Sequence, residues 1–94
     1  MSLLELVKEE LRITWDDEDQ KLVKMIERNK ASLDKLVGIE LDYETPGPAQ
    51  TLLLNRCRYD YNHALEYFER NFAQEILFLQ LHVATEEMNT NGDP

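Results

Sequence analysis

The sequence predicts an all-α fold: a small bundle of about four helices over residues 3–11, 17–37, 49–70 and 72–84. Three observations carry this. Apolar residues recur three and four apart along most of the chain. Only three Gly and three Pro interrupt 94 residues. Two of the prolines flank a glycine in one stretch, Pro46-Gly47-Pro48, so the interruptions gather in a single internal loop, 39–48. The length allows one domain, placed at 1–84, and a polar flexible tail at 85–94.

The first helix opens on Ser2 and Glu5, spaced as a capping box, and Leu4, Val7 and Leu11 then repeat at helical spacing. Nine residues are marginal alone, so its apolar side must dock on something. After the connector Arg12-Ile13-Thr14-Trp15 comes Asp16-Asp17-Glu18-Asp19. This reads as a helix N-terminus, with Asp16 as cap and acids in the first turn. The sharper reading, a metal site of Asp16, Asp17 and Asp19, lacks the glycine that a calcium loop needs for its turn.

The second helix has Leu22, Ile26, Leu33, Leu36 and Val37 on one side, and Gly38 supplies its stop. Lys21, Lys24, Arg28 and Lys35 form a stripe on the opposite side. A solvated face is the plain explanation of such a stripe; in an acidic protein it is also where an acidic neighbour docks. The loop 39–48 carries Leu41 and Tyr43 among acids, to pack on the core or to present a contact surface.

In the third helix Leu53, Cys57, Tyr61, Ala64 and Phe68 form an apolar seam, and Cys57 reads as a small buried hydrophobe within it. A second row, Leu52, Arg56, Tyr59 and His63, has the composition of an interface, with chance as the alternative. Asn71 and Gln74 have cap-and-return spacing ahead of the last helix. There Phe72, Ile76, Leu79 and Val83 line one side while Leu77, Phe78 and Leu81 point elsewhere. A helix apolar nearly all round must be covered on most sides, either by the other three helices or by a partner.

Composition narrows the function. Ten Lys and Arg against 19 Asp and Glu give a formal charge of −9, the wrong sign for a free-standing nucleic-acid binder. One cysteine excludes an internal disulfide framework and fits a reducing compartment. No apolar run approaches the ~20 residues of a membrane span, and the acidic start is unlike a signal peptide. Cys57, His63 and His82 match no zinc spacing. Gly38, Gly47 and Gly92 lie too far apart for a phosphate loop, and no nucleophile has a partner motif. No enzyme, cofactor or metal is therefore expected.

The order of these features resembles a known family. Glu5-Leu6-Val7-Lys8-Glu9-Glu10-Leu11-Arg12-Ile13, the acids Asp16 to Asp19, Leu22-Val23-Lys24-Met25-Ile26-Glu27 and Leu36-Val37-Gly38 together resemble the tailed-phage head–tail connector, or adaptor, family of head-completion proteins. The likeness extends loosely over residues 3–83. It departs at Asn29 and Lys30, where the family often has small residues, and in the polar tail.

The resemblance implies a small helical subunit that joins the head after DNA packaging. It forms a ring, typically dodecameric, beneath the portal protein, extends the DNA channel without specific DNA binding, and provides the platform for a stopper or tail-completion protein. Its place is then the virion, and the host cytoplasm before assembly, with no membrane. On that reading Lys21, Lys24, Arg28, Lys35, Leu52, Arg56, Tyr59 and His63 are candidate subunit-interface residues. Trp15, Leu41 and Tyr43 are candidate portal or stopper contacts, with loop 39–48 and the tail ordering on contact. The alternatives are an acidic helical regulatory module that binds a single partner and, more remotely, a metal-dependent enzyme using Asp16, Asp17 and Asp19.

Overall fold

The computed structural model describes the backbone of residues 1–91 and the side chains of residues 1–85. Within them the chain is all-helical: α1 (Leu3–Leu11), α2 (Asp19–Val37), α3 (Pro48–Tyr61), a 3-10 turn (Leu65–Tyr67), α4 (Phe68–Asn71) and α5 (Ala73–Asn91). The molecule extends 53 × 27 × 17 Å, so its thinnest dimension holds no more than two helix layers.

α1 starts where its capping box places it. The Ser2 hydroxyl accepts from the Glu5 N–H at 3.1 Å, and the Glu5 carboxylate accepts from the Ser2 N–H at 3.0 Å. α2 begins at Asp19, two residues later than expected, and Asp16 does not cap it with its side chain. Asp16 and Asp19 instead each accept from Lys8 Nζ at 2.7 Å, clasping α1 to the start of α2. α3 opens with Pro48 in its first turn, where the missing N–H of proline costs nothing.

The largest departure from expectation is in the third helix, which ends at Tyr61 rather than 70. His63 takes the left-handed conformation (φ 58°). The His63 N–H then donates to the Asp60 carbonyl at 3.1 Å and the Ala64 N–H to the Tyr59 carbonyl at 2.8 Å. This is the double bond pattern that normally ends a helix on glycine. α1 ends in the same way on Arg12 (φ 59°), whereas α2 ends on Gly38 (φ 100°) with the Gly38 and Ile39 N–H groups both donating to the Asp34 carbonyl. Only Gly38 was legible, because the other two stops carry side chains. A non-glycine residue in this conformation costs roughly 1 kcal/mol. His63→Gly is therefore expected to raise the urea-unfolding free energy by about that amount with the fold unchanged.

The expected cap at Asn71 and Gln74 is also replaced. Asn71 Nδ2 donates to the Tyr59 hydroxyl at 3.0 Å, and only Phe72 separates α4 from α5. α5 runs on to Asn91, past the expected end at 84. The expectation of a flexible tail falls largely outside the described side chains.

α2 and α3 form the centre. α1 packs against both, and α5 packs against both elsewhere. The last helix is thus not the wrapped one. Leu33, Leu53 and Cys57 are completely buried between the central helices, with Leu22, Val7 and Phe68 around them. Asn29 is buried with them. Its Nδ2 donates to the Met25 carbonyl at 2.8 Å and to Asp60 Oδ2 at 2.9 Å, and its Oδ1 accepts from Arg56. Both ends of the amide are satisfied, which removes the penalty of burying it and ties α2 to α3 at one register.

Candidate interaction surfaces

The basic stripe of α2 lies on the surface. Lys21, Lys24 and Lys35 are exposed and form no ion pair among the described residues, while Arg28 pairs with Asp60 at 2.7 Å. The N-terminal half of the stripe borders a cleft of about 470 Å³ between α2 and the end of α3, lined by Lys21, Lys24, Arg28, Met25, Tyr61 and His63 among others. On its rim the Glu18 carboxylate accepts from Trp15 Nε1 at 2.7 Å and from the Tyr61 hydroxyl at 3.1 Å. The indole hydrogen bond, then the phenol, hold its pKa below the ordinary carboxylate value.

The second row of α3 is not a continuous outer face. Leu52 is 2% exposed, so it belongs to the core and is not available to a neighbouring subunit. Tyr59 stands edge-on to Phe68 and Phe72, at 5.7 and 5.5 Å between ring centres, and those two rings stack at 5.0 Å. Arg56 bonds Asn29 and lies 5.7 Å over the Phe68 ring, half-buried. Only His63 is exposed. The physical reason is the chain reversal after Tyr61, which brings Phe68 and Phe72 back onto the row. A continuous helix would have left it facing outward.

The axial candidates divide. Trp15 is exposed and held by Glu18. Leu41 is half-buried against the core. Tyr43 is 4% exposed, with its hydroxyl donating to Asp34 Oδ1 at 2.7 Å, so it anchors the loop instead of presenting it. Burial, reinforced by that carboxylate, pushes its phenol well above the usual range. The Leu41 N–H donates to the same Asp34 oxygen at 3.0 Å, and Gln50 Nε2 donates to the Tyr43 carbonyl at 3.0 Å. The loop is therefore pinned within the single subunit and does not wait for a partner to order it. Leu41 and Tyr43 point inward, and the alternate residues Glu40, Asp42 and Glu44 are all exposed. Sequence reasoning passed over these three because it took the apolar members of the alternation for the contact.

The surface that sequence reasoning described without assigning it as a site is on α5. Leu77, Phe78 and Leu81 are 52%, 58% and 58% exposed, while Ile76 and Leu79 face the core. Two helix layers cannot enclose α5 on every side, and this row is what remains outside. Beside it runs a cleft of about 600 Å³, bordered by Pro48, Thr51, Asn55, Phe72 and Phe78.

Cys57 is buried and its thiol is pushed up to about 12, chiefly by desolvation. The Lys8 ammonium sits against Asp16 and Asp19, where the acidic cluster would have to take a cation. Among the described residues no group of three His, Cys, Asp or Glu is placed to hold a metal ion. Nor, among them, is any helix long and apolar enough to cross a membrane. Comparison with protein-family models, with curated proteins and with solved structures finds no match for this chain.

Proposed function

We propose that this protein is an assembly subunit that acts by docking and ring formation, as a head-completion adaptor of a tailed phage. It binds beneath the portal, lengthens the DNA channel and offers its far side to a stopper or tail-completion protein. The observation that supports an assembly role is the uncovered row Leu77, Phe78 and Leu81 on α5, an apolar surface in a chain otherwise rich in charge. The adaptor form of that role is supported by the resemblance over residues 5–38. The formal charge of −9 suits a conduit, since a basic wall would bind the phosphates of passing DNA.

The test is to mix the purified protein with portal-bearing, DNA-filled capsids and to recover the capsids by sedimentation. Saturable co-sedimentation at several copies per portal, with DNA retained, is the expected result. A protein that neither binds those capsids nor helps to keep them filled is not an adaptor. A one-to-one complex with a single soluble partner would instead favour the regulatory module.

A further inference from the structure

A charge drawn partly out of water is normally met by an opposite charge or by a full set of hydrogen bonds. Arg56 has neither. Its guanidinium lies half-buried over the Phe68 ring, and one terminal nitrogen donates to the Asn29 amide oxygen. Among the described residues no carboxylate comes within ion-pair distance of it. Asp60, one turn along α3, is taken by Arg28 and Asn29. Burial accordingly lowers the Arg56 pKa, and the more distant charges of Asp60 and Glu69 oppose this only in part. Among the described residues no buried side-chain nitrogen or oxygen lacks a hydrogen bond, so the remaining donors of Arg56 are open to solvent.

Arg56 lines an open pocket of about 430 Å³ together with Ser32, Lys35 and Leu36 of α2 and Glu69 of α4. Lys35 is exposed and forms no ion pair among the described residues. Its neighbours one turn away in the chain, Ala31, Ser32, Gly38 and Ile39, offer it no carboxylate. The Ser32 hydroxyl makes no hydrogen bond among the described residues. Glu69 is the one acid on the rim; it is exposed and pairs with neither cation. Two cations against one acid leave this pocket positive in a chain whose formal charge is −9. The α2 cleft differs, because Glu18 and Asp60 line it and Arg28 is already paired there. A guanidinium fork with an ammonium and a hydroxyl beside it is suited to the two oxygens of a carboxylate.

The pocket lies next to the uncovered row of α5. Gln80 Nε2 donates to the Leu36 carbonyl at 3.0 Å, so the side of α5 that carries Gln80 runs along the outer end of α2. Ala73, Leu77 and Ala84 share that side at 100° per residue. Leu77 therefore borders the end of α2 that holds Ser32, Lys35 and Leu36.

We propose that the pocket of Ser32, Lys35 and Arg56 takes an acidic side chain of the partner that covers the α5 row, an Asp or Glu set beside that partner's apolar contact residues. The row supplies the buried area, and the carboxylate fixes where along it the partner sits. The proposal rests on the docking reading above for its partner, but not for the chemistry of the pocket.

The experiment uses full-length Lys35→Glu, Lys35→Arg and Glu69→Gln. Both positions are exposed, and Arg56 is left in place because it also holds Asn29. In co-sedimentation with portal-bearing capsids, Lys35→Glu is expected to bind about tenfold more weakly or worse, and Lys35→Arg within about twofold of the wild type. Glu69→Gln is expected to bind more tightly, and added salt to weaken the wild type more than Lys35→Glu. Equal capsid binding by the wild type and Lys35→Glu overturns the pocket and leaves the adaptor. A second arm needs no capsid: backbone amide NMR during titration with acetate, with chloride at matched ionic strength as control. Saturable shifts at residues 32, 35 and 56 that vanish in Lys35→Glu are the expected result. Shifts no different from those with chloride overturn the pocket. Saturable acetate binding by a protein that ignores capsids removes the adaptor and leaves the pocket. Self-association of the wild type that Lys35→Glu abolishes would make the acid one of this chain's own, and overturns the choice of partner.

Discussion

Phe68→Ala is expected to remove about 3–5 kcal/mol of stability, the largest loss expected from a single substitution in this molecule. A domain of this size has only about 5–15 kcal/mol in total. Phe68 is 1% exposed and touches three groups, two on α3 and one on the residue between α4 and α5. It stacks on Phe72 at 5.0 Å, meets the edge of Tyr59 at 5.7 Å and lies under the Arg56 guanidinium at 5.7 Å. Truncation leaves a ring-sized void at the point where the reversed chain is fastened to α3, and neither α3 nor the four-residue α4 can collapse into it without giving up Asn71 to Tyr59. Thermal unfolding followed by circular dichroism should show a midpoint lower by more than about 12 °C, at roughly 4–8 °C per kcal/mol. Phe68→Leu keeps most of the buried area and gives up mainly the ring contacts, about 0.5–1.5 kcal/mol each. A loss below about 1 kcal/mol for Phe68→Ala would show that the segment after Tyr61 is not held in this way.

Replacing Leu77, Phe78 and Leu81 together by Gln is expected to have the opposite profile, a large loss of docking with the fold preserved. Each side chain is already more than half outside, so little core is surrendered. Complete burial of such a side chain is worth about 1.5–3 kcal/mol, which leaves roughly 1 kcal/mol apiece to be gained on docking. Three together correspond to a weakening of capsid binding by about 100-fold or more. Ile76→Gln, one residue away but buried, should instead lower the thermal midpoint, because it puts an amide into the core. If the triple variant binds portal-bearing capsids as tightly as the wild type, α5 is not the docking face, and the assembly proposal loses its main support.

Some elements could be read directly because their signals are local. The Ser2/Glu5 box, the inner face of α2 and Gly38 each act through residues a few positions apart, and they stand where the spacing put them. The end of α3 could not, because its stop is a histidine. Nothing in the spacing of Leu53, Cys57, Tyr61 and Phe68 marks a break, and the same spacing continues across it. That error carried into the site. With a straight helix assumed to residue 70, Leu52, Arg56 and Tyr59 had no cover, and they read as an interface. Tyr43 was misplaced for a related reason: Asp34, which accepts from its hydroxyl, lies on the far side of Gly38, outside any local window.

By itself the sequence determined the helical class, the capping of α1, the span of α2 to within two residues, the Pro-Gly loop between α2 and α3, the exposed basic stripe and the surplus of apolar surface on the last helix. These follow from periodicity, from backbone chemistry and from charge, which a residue carries wherever it lies. The tertiary structure decided what covers what. It turned the acidic cluster at Asp16 and Asp19 into a clasp for Lys8, put Asn29 inside the core with Arg56 and Asp60, folded Phe68 and Phe72 onto Tyr59, and left Glu40, Asp42 and Glu44 as the outward edge of the loop. Each of those outcomes depends on a partner distant in the chain, and burial is a property of the pair, not of either residue.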